Sequence, residues 1–262
     1  MSVVRSGRIG ILLAALLCMA GCVSTSNSGV SSKTSRKEAA QYNMQLGIGY
    51  LRQGDLKTAQ AKLEKAIADD DSLATAYRAL GLVFERLGDI PGAERNYRRA
   101  VSLAPEDPDA LNALAVFLCL QKHDTAEAMR NFERALAIPL SKAETNKAML
   151  YTNAGVCARR IDLAAAETYF RSALGADPGF RDALLQIADV AYERSNYLQS
   201  RAFLERYLGS GDPTPGALWL GVRVERKLGA TSTAQTYAEQ LRKVFPASVE
   251  TRLLLESERN AG

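Results

Sequence analysis

A period of about 34 residues runs through the chain from Glu38 onward, and no other feature of the sequence constrains the fold as strongly. Each period contains two apolar stretches with helical spacing, and runs of β-branched residues that would favour strands are almost absent. One pair of helices cannot bury its apolar face alone, so successive pairs must stack. The period therefore predicts an all-α superhelix with a concave groove.

The second period has the most complete pattern. Its characteristic large, small and aromatic residues are Tyr77, Leu80, Gly81, Phe84, Gly88, Ala93, Tyr97, Ala100 and Pro105. The small residues let paired helices approach closely, an aromatic ring fills the space between them, and the proline ends the second helix. This pattern resembles the tetratricopeptide repeat, which implies a helix-turn-helix unit.

About six such repeats are predicted within a domain spanning residues 38–262. We expect them at about 40–73, 74–107, 108–142, 148–180, 181–214 and 215–247, followed by a C-terminal capping helix at 248–260. The turn inside the third repeat, around Lys122 to Thr125, contains one extra residue. The turn inside the fourth repeat, at Arg160 to Asp162, is one residue short.

The N-terminus predicts export and a lipid anchor. Two arginines and no acid precede an apolar run over residues 9–20, as in a secretory signal peptide, and the run is short for a permanent membrane span. It ends in Met19-Ala20-Gly21-Cys22, which resembles the lipobox of bacterial lipoproteins. We therefore expect removal of residues 1–21 and acylation of Cys22. The alternative is an ordinary signal peptide with a chance cysteine near its cleavage site.

Residues 22–37 comprise the lipidated cysteine and a segment rich in Ser and Thr without apolar periodicity, which predicts a flexible tether. Cys22 is followed by Val23, whereas an Asp there marks inner-membrane retention in Gram-negative lipoproteins. By that resemblance the protein is predicted at the periplasmic face of the outer membrane. Two or more acyl chains would hold it there.

Charge and motif content argue for a protein-binding scaffold. Without the two arginines of the signal peptide, 31 bases stand against 29 acids, and the two signs alternate along the same segments, which is not a nucleic-acid footprint. The sequence has no phosphate-binding glycine loop or metal-ligand spacing, and its one histidine, His123, falls in a turn. We predict no catalytic site, metal, cofactor or small-molecule substrate.

Two cysteines, Cys119 and Cys157, remain once Cys18 is removed with the signal peptide and Cys22 is acylated. An exported protein meets an oxidising compartment, and these two lie at similar heights in the first helices of consecutive repeats, so we predict a disulfide. The alternative is that both are separate buried core residues.

The concave groove is the expected binding surface. In tetratricopeptide repeats, set positions of each first helix line the groove, and counting them here gives Met44, Ile48, Leu51, Arg52, Arg78 and Leu82. Met44, Ile48 and Leu51 would form an exposed apolar strip, suited to an amphipathic helix or an extended apolar peptide. Alternatively, the tether covers the strip. The Lys and Asn pattern that clamps a C-terminal carboxylate is absent.

Four stretches resemble a narrower group, the type IV pilus biogenesis and stability lipoproteins of the PilW/PilF family, called pilotins. The stretches are YLRQGD at 50–55, the segment 112–119 ending in Phe-Leu-Cys, NAGVC at 153–157, and LWLG at 218–221 with FPAS at 245–248. The resemblance implies that the protein binds the type IV pilus secretin subunit and promotes its outer-membrane localisation or multimerisation, hence pilus assembly.

Two other functions compete with this hypothesis. A tetratricopeptide adaptor for cell-wall hydrolases or outer-membrane barrel assembly would share the lipobox and the repeats, but not the paired cysteines. A wall hydrolase would require a carboxylate or histidine constellation that the sequence does not contain.

Overall fold

The computed structural model describes residues 28–139 and 146–260, with side chains from residue 34 onward. Within these ranges the secondary structure is entirely helical. The helices are α1 Ser28–Gln53, α2 Leu56–Asp69, α3 Ala74–Leu87, α4 Ile90–Leu103, α5 Pro108–Phe117, α6 Thr125–Ala137, α7 Lys147–Ala158, α8 Leu163–Ala176, α9 Arg181–Glu193, α10 Tyr197–Leu208, α11 Pro215–Lys227, α12 Thr231–Val244 and α13 Val249–Arg259. They form six antiparallel pairs and a final helix, which confirms the predicted superhelix and its C-terminal capping helix.

Short polar caps and close helix approach define each pair. The second helices of the first four pairs begin at an aspartate whose carboxylate accepts a backbone N–H of the first turn; these caps are Asp55, Asp89, Asp124 and Asp162. Inside the second pair, a Cβ added at Gly81 would lie 2.9 Å from the ring of Tyr97, so only glycine fits there. The ring is itself 3% exposed and fills the space between α3 and α4.

The turns inside the pairs are tight because most contain a residue with left-handed backbone. These residues are Gly54, Gly88, His123, Ser195 and Gly229 in the first, second, third, fifth and sixth pairs. The fourth pair has one residue fewer between Gly155 and Ala166 than the second pair has between Gly81 and Ala93, and its linking residues 159–162 include none with positive φ. The predicted short turn therefore changes the path of the backbone without requiring a glycine.

The extra residue of the third repeat lies elsewhere than predicted. Instead of lengthening the turn, it is absorbed in a π-helical turn, Leu118–Lys122, that continues α5. Cys119 lies in this turn and is bonded to Cys157 of α7, with the two Cα atoms 6.0 Å apart and both residues 1% exposed. Arg160 Nη1 donates to the Cys119 carbonyl oxygen at 2.9 Å. The π-helical turn thus lies where the third and fourth pairs are covalently joined.

The tether prediction is wrong over residues 28–37, which form the first turns of α1. This stretch contains no proline, and a helix already fixed by packing extends at the gain of one hydrogen bond per added residue. Residues 34–39 are exposed, and Ala40 is the first buried residue of α1. The signal peptide, Cys22 and residues 23–27 lie outside the described residues. Among those described, no helix is both long and apolar enough to cross a bilayer.

Candidate functional site

A pocket of about 320 Å³ opens on the concave face where the first helices of the first three pairs meet. Its lining residues are Ile48, Leu51, Arg52, Thr75, Arg78, Ala79, Leu82, Arg86, Tyr97 and Ala113. Five of the six predicted groove residues line it. Met44 packs against the same apolar cluster one turn away and does not line the pocket. We call this pocket and its lining the N-terminal pocket.

The floor of the N-terminal pocket is more deeply buried than the predicted strip. Leu51 is only 5% exposed and belongs to the core formed with Leu63 and Leu80, so its assignment as an exposed side chain is wrong. The Leu51 side chain packs against both α2 and α3, and these helices cover it. Met44 and Ile48 remain half-buried. The apolar surface available to a partner is therefore a recess with walls, in place of a flat strip.

Three arginines surround this recess. The Arg86 Nη1 donates to the Leu51 carbonyl oxygen at 3.1 Å, near the end of α1 where backbone carbonyls lack helical partners. The Nε of Arg78 is shielded from solvent and has no hydrogen-bond acceptor in the structure. Among the described residues, no carboxylate forms an ion pair with Arg52, Arg78 or Arg86.

The acids near these arginines form no ion pair with them, and one of them, Glu85, is engaged elsewhere. Tyr97 Oη donates to Glu85 Oε2 at 2.8 Å, and Gln121 Nε2 donates to Glu85 Oε1 at 3.1 Å, so both oxygens of Glu85 are occupied. Burial, followed by the Glu85 charge, raises the pKa of Tyr97 far above its usual value and keeps the phenol protonated as a donor. Burial also raises the pKa of Asp109, which lies near Arg78 without pairing with it.

The C-terminal part of the concave face has a different chemistry. Arg159 Nη2 donates to Asp189 Oδ2 at 2.8 Å and also bonds Glu193, while Arg223 Nη2 donates to Asp189 Oδ1 at 3.3 Å. The guanidinium of Arg223 also lies 4.6 Å from the ring centre of Tyr192. We call these residues the charged ladder, because they connect the fourth, fifth and sixth pairs. The sequence analysis did not predict the ladder.

Two amides lie between the N-terminal pocket and the charged ladder. Asn153 Nδ2 donates to Asn112 Oδ1 at 3.0 Å, which links the third and fourth pairs across the groove. In the sequence, both residues serve only as family markers. Counting equivalent positions of consecutive first helices could have predicted that they are neighbours.

Residues capable of binding a metal ion do not converge in the described ranges. No group of three or more His, Cys, Asp or Glu residues there has the geometry of a metal site. His123 is exposed in its turn, as interpreted from the sequence, and its Nδ1 lies 3.0 Å from Arg160 Nη2. The groove presents apolar side chains, guanidinium groups and amides.

The sequence matches the family model of the tetratricopeptide repeat over residues 44–108, 78–143 and 159–217, which together cover more than half of the chain. It is similar to the type IV pilus assembly protein PilF of Pseudomonas aeruginosa, with 28% identity over 234 residues that cover 88% of this chain and 91% of the relative.

Solved structures give the same relationship. A structure of Pseudomonas aeruginosa PilF superimposes with a TM-score of 0.74 at 27% identity, covering 85% of this chain and 99% of the other. A crystal structure of PilW, a widely conserved type IV pilus biogenesis factor, gives a TM-score of 0.75 at 25% identity, covering 82% and 98%.

Proposed function

Because the chain belongs to the tetratricopeptide repeat family and is homologous to the pilus assembly protein PilF, we propose that it acts in type IV pilus assembly as a pilotin. In this proposal the protein is a lipoprotein at the periplasmic face of the outer membrane. It binds the pilus secretin subunit and promotes its localisation and multimerisation there. It performs no covalent chemistry.

The N-terminal pocket is the observation that supports binding at the first repeats. Its floor of Ile48, Leu51 and Leu82 provides apolar area, and each partner side chain fully buried there would contribute about 1.5–3 kcal/mol. Its arginines have no acidic partner within the described part of the chain, so their charge is available to a partner. The charged ladder, by contrast, has its charges paired within the fold.

Membrane attachment rests on the lipobox at residues 19–22. Acylation of Cys22 would fix the protein to the bilayer, where secretin subunits must insert. A secretin subunit bound in the groove would then be held close to its destination, which raises its effective concentration at the membrane.

The test compares Ile48→Glu with Ile161→Glu in cells that also make the secretin and the pilus. Ile48 lines the pocket, whereas Ile161 is 68% exposed in the turn of the fourth pair, so the same chemical change is made at two sites. We expect Ile48→Glu to reduce secretin multimers in the outer membrane several-fold, because a carboxylate on the floor must be desolvated when a partner binds. Ile161→Glu should leave multimers unchanged.

Circular dichroism of both purified variants establishes that they are folded, and fractionation of a Cys22→Ala variant tests the anchor. We expect the Cys22→Ala protein in the soluble periplasmic fraction or with its signal peptide uncleaved. Undiminished multimers with folded Ile48→Glu would exclude the pocket as the binding site. Normal pili after deletion of the gene, together with defects in wall hydrolysis or barrel assembly, would favour the adaptor function instead.

A further inference from the structure

Arg78 is the point at which the N-terminal pocket is chemically incomplete. Its Nε is shielded from water and lacks an acceptor, although a buried guanidinium N–H is normally hydrogen-bonded. Arg52 and Arg86 lie around the same recess, and no carboxylate of the described residues pairs with any of the three. On the C-terminal part of the concave face, Arg159 and Arg223 both pair with Asp189.

The Nε of Arg78 is itself out of a ligand's reach, but the side chain is only partly buried and lines the pocket, so a carboxylate from a partner would bind the accessible part of this guanidinium and those of Arg52 and Arg86. Guanidinium groups bind carboxylates through two parallel N–H···O bonds, which are shorter and stronger than neutral hydrogen bonds. The same pocket is lined by Ile48, Leu82 and Ala113, and this apolar part of the lining favours an apolar group. The volume of about 320 Å³ is at the small end of ligand pockets, so it accommodates one or two side chains.

The spacing of the arginines indicates how the carboxylates arrive. Arg78 and Arg86 are eight residues apart on α3, which corresponds to roughly 12 Å along the helix axis. A segment that runs along the groove can present acidic side chains to both positions, whereas a C-terminal residue offers one terminal carboxylate. Arg52 lies at the end of α1 on the adjoining side of the pocket.

We propose that the N-terminal pocket binds an internal segment of a partner protein in which a large apolar side chain lies next to Asp or Glu side chains. This inference rests on the proposed function, since it states the chemistry of the partner segment at the same site. The apolar side chain fills the recess. Arg78 is the main contact of the neighbouring carboxylates, and Arg52 or Arg86 is a secondary one.

The experiment uses the full-length lipoprotein, solubilised in detergent and immobilised, with three pools of short synthetic peptides that share random flanks. One pool has a Leu-Glu core and an amidated C-terminus, the second a Leu-Gln core and an amidated C-terminus, and the third a Leu-Gln core and a free C-terminal carboxylate. We expect the Leu-Glu pool to be retained about tenfold more than the amidated Leu-Gln pool, because each new charge-assisted hydrogen bond strengthens binding.

Substitutions test whether the preference for the Leu-Glu pool depends on Arg78. Arg78→Met should abolish it, while Arg223→Met, which also removes a shielded Nε from the concave face, should retain it. The Arg52 side chain is exposed, so removing it does not disturb the core. Arg52→Met should therefore reduce the preference for the Leu-Glu pool by a smaller factor. Circular dichroism checks the fold of each variant, and Arg52→Met keeps the test decisive if Arg78→Met does not fold.

Three results would overturn the inference: equal retention of both amidated pools, an unchanged preference in folded Arg78→Met or Arg52→Met, or retention of only the pool with a free C-terminal carboxylate. Its failure is distinguishable from that of the proposed function, which is judged by secretin multimers in cells. A protein that supports multimers but does not prefer acidic peptides would remove this inference alone.

Discussion

In the first two repeats the arginines of the groove surround an apolar recess and pair with no acid of the described chain, whereas in the last three repeats they are paired across neighbouring repeats. Arg159 and Arg223 both bind Asp189. Arg201 of α10 donates from Nε to Glu225 Oε1 of α11 at 2.8 Å, and the Glu225 side chain is only 3% exposed.

Arginine therefore has two different roles in this protein. An arginine whose carboxylate partner belongs to the next repeat stiffens the stack and is unavailable to a ligand, whereas an arginine without such a partner can bind one. We therefore expect changes in the C-terminal repeats to alter stability, and changes in the N-terminal pocket to alter binding.

The largest effect should come from the bond that joins the two regions. Reducing the Cys119–Cys157 disulfide should lower the free energy of unfolding by about 4 kcal/mol, because the bond closes a loop with a sequence separation of 38 residues. Urea denaturation of oxidised and reduced protein measures this, and titration of free thiols in the denatured, unreduced protein checks that the bond is present.

The same denaturation experiment tests whether the N-terminal and C-terminal repeats unfold separately. Trp219 is the only tryptophan of the chain and lies in α11, so its fluorescence reports the C-terminal repeats while circular dichroism reports all helices. We expect the two transitions to coincide in oxidised protein and to separate on reduction. Two free thiols with identical transitions would instead support two separate buried cysteines.

A smaller effect is expected from Arg201→Met, which leaves the buried Glu225 carboxylate without its partner. We expect a loss of about 2–3 kcal/mol in the free energy of unfolding, below the roughly 3–5 kcal/mol of a fully buried pair because Arg201 itself is 31% exposed. The matched change in the N-terminal region, Arg52→Met, should have no measurable effect on stability. Equal losses in the two variants would contradict the division between the two regions.

The smallest effect should appear within α1, where two glycines two residues apart have opposite surroundings. A Cβ added at Gly49 meets nothing within 4 Å, so Gly49→Ala should stabilise the first repeat by about 1 kcal/mol. A Cβ added at Gly47 would lie 2.6 Å from Leu63 Cγ, so Gly47→Ala should destabilise it. Thermal denaturation of both variants gives the signs, and two shifts of the same sign would refute the packing assignment.

The helix pairs were predictable because each repeat position has a local physical role. Gly81 is small because it faces Tyr97, and position counting brought Ile48, Arg52, Arg78 and Leu82 to one pocket because stacked repeats align equivalent positions. The identity of Leu51 as a core residue was not predictable in this way, since its burial depends on how closely α2 and α3 approach it.

Other features of the structure were not predicted, for different reasons. The repeat period shows that the third repeat has one extra residue. It does not show whether this residue lengthens the turn or forms the π-helical turn at Leu118–Lys122. The charged ladder joins side chains about one repeat apart in sequence, such as Arg159 and Asp189, and alignment of equivalent positions could have suggested it. Residues 28–37 are rich in Ser and were predicted to be a tether, but they form a helix because they continue the packed part of α1.

That extension of α1 sets how the groove is presented to its surroundings. α1 has 26 residues and its partner α2 has 14, so about twelve residues, roughly 18 Å of helix, project beyond the first pair. With the lipid proposed at Cys22, residues 23–27 separate the acyl chains from this helical arm. Under that proposal, the length of the arm would set how far the groove stands from the bilayer, and partner segments at about that distance from the membrane surface would bind most readily.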